Sequence, residues 1–176
     1  MPDNNTIKPL VNKVANSGII VFNLEDHYPT SAIVEVDLKD YLFKELILKE
    51  KDYRTALKEL DWSQYKDKIV LVHCSTDAII PVWAYMLMSS YLVDVATEVY
   101  IGNQAEYLKM HYTKVIAELD PTAYANGKIV IKGCSHKPVP AAAYALLTAK
   151  LKPEVRSIMY GEPCSTVPIY KRPMKR

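Results

Sequence analysis

The chain has 176 residues, of which 49% are hydrophobic, and its net charge of +2 comes from 22 basic and 20 acidic residues. This length fits one domain with a buried core, while the near balance of charge argues against a nucleic-acid partner. No run reaches the roughly 18 apolar residues of a membrane span and residues 1–8 lack a secretory signal, so we expect a cytoplasmic protein with reduced thiols and no membrane partner.

The amino-terminal third has a less regular pattern than the rest of the chain. Short apolar runs at residues 19–24 and 33–36 predict two strands. Apolar residues then recur at three- and four-residue spacing over 38–47, which predicts a helix, and a second helix is predicted over 52–60. We interpret residues 11–66 as a strand and helix extension of the core that follows.

From residue 67 onwards strands and helices alternate. Strand patterns cover residues 69–73, 99–101, 128–132 and 155–160, and helical patterns cover 81–92, 104–119 and 140–151. This alternation predicts a mainly parallel sheet with crossover helices on its faces. We therefore predict a single α/β domain over residues 1–176, with a βαβαβαβ core at 67–170, a basic tail at 171–176 and the doubly wound order 2-1-3-4 for the four clear strands.

The three cysteines are each followed by a serine and each follows the carboxyl end of a predicted strand: Cys74, Cys134 and Cys164. Their strands are the first, third and fourth of the four, which the order 2-1-3-4 makes neighbours. Adjacent strands lie about 4.8 Å apart, so the thiols are expected to share one rim of the sheet. An odd number of cysteines also excludes complete disulfide pairing within one chain.

Thiolates at one rim point first to a metal site, because they are the ligands that iron–sulfur clusters and zinc prefer. Three protein thiolates leave a coordination position open for a substrate or a water molecule. Candidate further ligands are His73, His136 and Glu162. The leading hypothesis is therefore a protein that binds a metal ion or an iron–sulfur cluster, with a role in cluster assembly or transfer.

Two other classes of function stay open, and the sequence does not decide whether the chain is an enzyme. A thiol-dependent enzyme could bind a small anionic molecule through hydroxyl groups, with His73 or His136 as the base. With only five glycines the chain has no Gly-rich phosphate loop, and hence no NAD or ATP signature. A non-catalytic interaction protein could hold its cysteines as small buried hydrophobes and use its 13 tyrosines in a homodimer surface. The hydroxyl candidates for an anion site are Ser75, Ser135, Ser165 and Thr166.

Four segments of the sequence resemble the DUF2480 family: DWSQY at 61–65, CS at 74–75 with WAYM at 83–86, IKGCS at 131–135, and SIMYGEPCSTVPIY at 157–170. The resemblance extends from residue 11 to residue 171. The family is found mainly in Bacteroidetes and its function is unknown, so it implies no catalytic residue. It implies an association with iron–sulfur assembly genes, and hence assembly proteins as partners, which favours the cluster hypothesis.

Overall fold

The computed structural model describes residues 18–133 and 136–173, and within them it has a mixed α/β fold. The strands are β1 (Ile19–Phe22), β2 (Ile33–Asp37), β3 (Leu42–Phe43), β4 (Ile47–Leu48), β5 (Ile69–His73), β6 (Glu98–Ile101), β7 (Lys128–Ile131), β8 (Ser157–Glu162) and β9 (Ser165–Lys171). The helices are α1 (Glu50–Glu59), α2 (Val82–Leu92), α3 (Gln104–Glu118) and α4 (Ala141–Leu151). Short 3₁₀ turns lie at Leu24–His27, Leu38–Tyr41, Trp62–Tyr65 and Pro121–Tyr124.

The chain divides into two compact units. The inserted unit is continuous and comprises residues 29–114, whereas the split unit combines residues 18–28 with residues 115–173. The boundary between Lys114 and Val115 falls within α3. This division differs from the expected one, in which residues 11–66 extend a core at 67–170.

Each unit has its own sheet, which is parallel in the inserted unit and mixed in the split unit. In the inserted unit the strand order is β2-β5-β6, and in the split unit it is β1-β7-β8-β9, with β9 antiparallel to β8. The expected contacts of β5 with β6 and of β7 with β8 are therefore present. The expected contact of β5 with β7 is not, because β2 and β6 occupy both edges of β5 while β1 and β8 occupy both edges of β7. The single sheet of order 2-1-3-4 is thus replaced by two sheets, each completed by an amino-terminal strand.

The predicted helix over residues 38–47 is wrong. Leu38–Tyr41 forms a 3₁₀ turn, and β3 and β4 then form a small antiparallel hairpin. The turn of this hairpin contains Lys44 and Glu45, which have positive φ angles of 50° and 58°. The three- and four-residue spacing of apolar side chains in this segment therefore comes from a turn and a hairpin rather than from one face of a helix.

The core of the inserted unit lies between its sheet and two helices. The central strand β5 is buried over its first four residues. Val70 and Val72 belong to one cluster with residues of α1 and α2, including Leu57 and Met88. The buried Tyr53 hydroxyl of α1 donates to the Ala84 carbonyl oxygen of α2 at 3.0 Å, so the two helices are joined by a hydrogen bond as well as by apolar packing.

The two units are copies of one architecture, in which a 3₁₀ turn, a central strand, a helix and a third strand follow one another. Over this segment the residues of the split unit are numbered 59 higher than those of the inserted unit. The third strand follows the helix in each case and pairs parallel with the central strand. Equivalent pairs are Asp61 and Asp120, Tyr65 and Tyr124, Asp67 and Asn126, Pro81 and Pro140, Ala84 and Ala143, Tyr85 and Tyr144, and Leu92 and Leu151.

The equivalent residues also make equivalent contacts. The carboxylates of Asp61 and Asp120 accept from backbone N–H groups two residues further on, at 3.0 and 2.9 Å, and so cap their 3₁₀ turns. Asp67 and Asn126 precede the central strands with positive φ angles of 59° and 57°. The first strands match as well, since Asn23 after β1 and Asp37 at the end of β2 both cap the 3₁₀ turn that follows. The second copy of this fold therefore encloses the first in sequence.

Candidate functional site

The loop after β5, in the inserted unit, carries the first predicted site residues. His73 ends β5, and its Nε2 atom lies 3.4 Å from Glu35 Oε2 on the neighbouring strand. The Sγ atom of Cys74 lies 3.3 Å from Thr76 Oγ1. Cys74 is half-buried and packs against the core cluster of the unit. Its contacts are those of a small core residue with one polar neighbour.

Asp37 holds this loop against the first strand of the sheet. Its Oδ1 atom accepts from the Ser75 N–H group at 3.0 Å and from the Lys39 N–H group at 3.0 Å. Burial acts to raise the pKa of Asp37, but side-chain and backbone hydrogen bonds from Ser75 and Lys39 outweigh it and lower the pKa to about 2. The carboxylate is therefore ionised through the ordinary pH range and ties Ser75 to the end of β2.

The equivalent loop of the split unit is held by a different acidic residue. Glu25 Oε1 accepts from the backbone N–H groups of His136 and Lys137, the second at 2.7 Å. The Lys137 ammonium group lies 5.0 Å from the centre of the Tyr28 ring. Two N–H groups of this loop thus converge on one anionic oxygen. Cys134 and Ser135, which were predicted as site residues, lie outside the described residues.

A shallow pocket of about 520 Å³ lies beside this loop, at the carboxyl end of the split unit's sheet. Gly133, Lys137, Tyr144 and Tyr160 are among the residues that line it. Tyr160 donates to the Gly133 carbonyl oxygen at 3.4 Å, and its ring would lie 2.8 Å from a Cβ atom at Gly133. A side chain at position 133 would therefore have to displace the ring of Tyr160 from β8.

Cys164 occupies the turn between β8 and β9. Glu162 and Ser165 form the last pair of the ladder, so Pro163 and Cys164 make a two-residue turn. Cys164 is exposed, and the hydroxyl of Thr166 donates to the Met159 sulfur at 3.7 Å. The predicted site residues thus fall in two units. His73, Cys74 and Ser75 belong to the inserted unit. The split unit contains the other predicted residues that the structure describes: His136, Glu162, Cys164, Ser165 and Thr166.

The expectation that all three cysteines follow neighbouring strands depended on a contact between β5 and β7 that does not form. Only the strands before Cys134 and Cys164, namely β7 and β8, are neighbours. Within residues 18–133 and 136–173, no group of three or more His, Cys, Asp or Glu side chains is arranged to hold a metal ion.

Sequence reasoning missed three residues that shape these loops: Glu25, Asp37 and Tyr160. The signal for Asp37 and its counterpart Asn23 was present, because Asp37 ends β2, Asn23 follows β1 and each precedes a leucine, as expected for the cap of a turn. No signal identified Glu25, since it bonds to residues more than a hundred positions away.

The family comparison matches residues 8–172 to the model described as "Protein of unknown function (DUF2480)", which covers nearly the whole chain. No match was found among curated proteins or among solved structures. In the described part of the chain, no helix combines the length and the apolar character needed to cross a membrane.

Proposed function

Because the chain belongs to the DUF2480 family, whose description assigns no activity, we propose a function from its own residues: binding of a metal ion or an iron–sulfur cluster through cysteine thiolates at the carboxyl edge of its parallel strands. Cys134 and Cys164 are the central ligands in this proposal. A reducing compartment such as the cytoplasm would keep both as thiols.

The adjacency of β7 and β8 supports this proposal. Ile131 and Tyr160 are partners in their parallel ladder, and Cys134 and Cys164 follow these partners by three and four residues. Three residues of chain extend at most about 10 Å, and neighbouring strands lie about 4.8 Å apart. The strands that precede the two cysteines therefore end at the same edge of one sheet, and this adjacency is what supports a shared metal ion.

The split unit also supplies the other donor types that a metal of this class needs. His136 follows Cys134 by two residues, and Glu162 precedes Cys164 by two residues at the end of β8. Two thiolates with one imidazole or one carboxylate are a donor set typical of zinc. The backbone N–H groups held by Glu25 fix the part of the loop that contains His136.

A cluster makes a stronger demand on thiolates, because iron–sulfur clusters are usually held by four cysteines. In the cluster form of the proposal, iron–sulfur assembly proteins deliver or receive the cluster. Inorganic sulfide distinguishes the two forms, because a zinc site contains none.

Anaerobic purification followed by metal and sulfide analysis and a visible spectrum tests the proposal. We expect bound zinc, or iron with sulfide, in the wild-type chain. Metal content should be lost in Cys134→Ala and in Cys164→Ala. Ser135→Ala is the matched control, since it alters the same loop without removing a thiolate. A wild-type chain without metal after reconstitution, or full metal content in both Cys134→Ala and Cys164→Ala, would falsify the proposal.

A second candidate, a thiol-dependent enzyme that acts on a small anionic molecule, is favoured by one observation. The loop after Cys134 directs two backbone N–H groups at a single carboxylate oxygen, which is how proteins bind anionic groups. In this candidate Glu25 occupies a position that a substrate anion could take. Alkylation of Cys134 or Cys164 faster than that of a free cysteine would support it, and ordinary rates for both would exclude it.

A further inference from the structure

The outer edge of β6 is the place where the two copies of the fold differ most. In the split unit the third strand is β8, which pairs with β7 on one side and with β9 on the other. In the inserted unit the third strand is β6, and within the described residues no strand pairs with its outer edge. An open edge of this kind is a template for pairing with another chain.

The split unit displays what covers the equivalent edge. There β9 adds as an antiparallel strand, and its Ile169 lines a groove with Tyr144, Ala145 and Tyr160 on the side of α4. The counterparts of these three residues are Tyr85, Met86 and Ile101, which line an open groove on the side of α2. The groove beside β6 therefore has the form of one that accepts a strand.

The side chains of this second groove are large and apolar where the split unit has small or charged ones. Ala141, Ala145 and Lys152 are the counterparts of Val82, Met86 and Val93. The exposed fractions are 74% for Val82, 67% for Met86, 62% for Val93 and 45% for Ile101. At three of these positions the split unit thus has small or charged residues, whereas the inserted unit has an exposed apolar patch of the type that marks protein contacts.

We propose that this apolar patch, formed by Val82, Met86, Val93 and Ile101, is the interface with a second copy of the same chain. In the dimer the two β6 strands pair antiparallel about a two-fold axis. The axis is perpendicular to the sheet, so both α2 helices lie on the same face of a joined six-stranded sheet. Each patch then packs against its own copy.

The lack of charge makes this surface self-complementary, as an interface with a second copy of the chain requires. A two-fold interface places each patch against itself, so a charged patch would meet its own charge, whereas an uncharged one is self-complementary. No charged side chain is found among the described residues that line the groove. Glu98 of β6 is engaged elsewhere, because its Oε2 atom accepts from the Tyr107 hydroxyl of α3 at 2.8 Å and its Oε1 atom lies 3.3 Å from Lys114 Nζ.

Sedimentation velocity of the full chain over a dilution series tests the dimer. We expect a wild-type dimer, and we expect Met86→Glu to raise the dissociation constant by more than about thirtyfold, as for the loss of a central contact. Ala145→Glu is the matched control, because it places the same charge at the equivalent exposed position of α4 and should leave the dimer intact. Circular dichroism of both variants establishes that each is folded.

Hydrogen exchange identifies the surface. Thr97 N–H donates to Lys68 O on the β5 side, so the alternate amides of Glu98 and Tyr100 point to the outer edge. These two amides should gain protection as the dimer forms. A wild-type chain that stays monomeric at every concentration overturns the proposal, as does a dimer that survives Met86→Glu or that leaves both amides unprotected.

Discussion

Asp37 serves both of the segments that meet at the end of β2. It caps the 3₁₀ turn through Lys39 N–H and holds the loop after β5 through Ser75 N–H. The split unit divides these tasks between Asn23, which caps its turn, and Glu25, which holds its loop. The same backbone arrangement thus requires an acceptor at each position but not a particular side chain.

Replacing Asp37 should therefore lower stability in a pH-dependent way. Asp37→Ala removes two hydrogen bonds to backbone N–H groups and should cost about 1–2 kcal/mol at neutral pH, whereas Asp37→Asn keeps an acceptor oxygen and should cost less. The folded pKa of about 2 lies below the ordinary 3.8, so the carboxylate's contribution is complete above pH 4 and is lost as the pH falls towards 2. Urea unfolding of the three chains at pH 7 and pH 3 measures both effects; an equal Asp37→Ala cost at the two pH values would contradict the prediction.

The cysteines illustrate how far residue types alone can be interpreted. The position of Cys74 directly after β5 was predictable, because a run of five residues with four buried aliphatic side chains marks that strand clearly. The Cys-Ser pairs, by contrast, are not equivalent in position. The counterpart of Cys74 is Gly133, and the counterpart of Ser75 is Cys134. A short shared string had concealed a shift of one position between the two loops.

At the scale of elements, the hairpin of β8 and β9 depends on one glycine. Gly161 has a φ angle of +122°, and a Cβ atom there would lie 2.6 Å from the Ser165 carbonyl oxygen. This conformation is strained for any other residue, and the close atom belongs to the backbone of the partner strand, which cannot move away without breaking the ladder. The turn that carries Cys164 is built on this approach.

Gly161→Ala should therefore destabilise the protein by about 3 kcal/mol. Gly18→Ala is the control, because Gly18 also has a positive φ angle, +62°, but open space around it, so only the left-handed conformation should cost about 1 kcal/mol. Urea unfolding compares the two variants. Equal losses would mean that the contact with Ser165 is unimportant.

Two elements escaped sequence reasoning for physical reasons. The hairpin of β3 and β4 turns through Lys44 and Glu45 with positive φ angles, although neither residue favours that conformation, so no turn signal was visible. The strand β9 contains Pro168, which argues against a strand; it is tolerated because β9 is an edge strand and the ladder is irregular beside Met159. Regular elements such as β5 and α2 carried no such conflict and were predicted closely.

At the scale of the whole molecule, the internal repeat makes paired experiments possible. Leu92 of α2 and Leu151 of α4 hold equivalent positions, and both are fully buried. Leu92→Ala and Leu151→Ala should each cost about 2–5 kcal/mol, because each leaves a cavity in an equivalent core. The exposed Leu146→Ala is the control and should cost far less. Chemical denaturation checks these values, and a negligible loss for either buried leucine would show that the two cores are not alike.

The repeat also explains why the strand order could not be predicted. Periodicity identified the four clear strands, but the neighbours of β5 and β7 are β2 and β1, whose short sequences resemble an irregular extension. Ile19 of β1 pairs with Lys128 of β7, and the whole inserted unit lies between these two residues in the sequence. Pairing between such distant segments leaves no local pattern in sequence, whereas the local alternation that indicated the α/β class does.

The nested order of the two copies has a consequence for synthesis on the ribosome. The strand β1 is made first, yet its ladder partner β7 emerges only after all of residues 29–114 have been translated. The inserted unit has every strand of its sheet by Ile101 and can fold while the remainder is still being made. Until β7 has been made, β1 lacks its ladder partner, and Ile20 and Val21 form an unpaired apolar segment of the nascent chain. Chaperone recognition of the nascent chain should accordingly concentrate on its first strand and end with the arrival of β7.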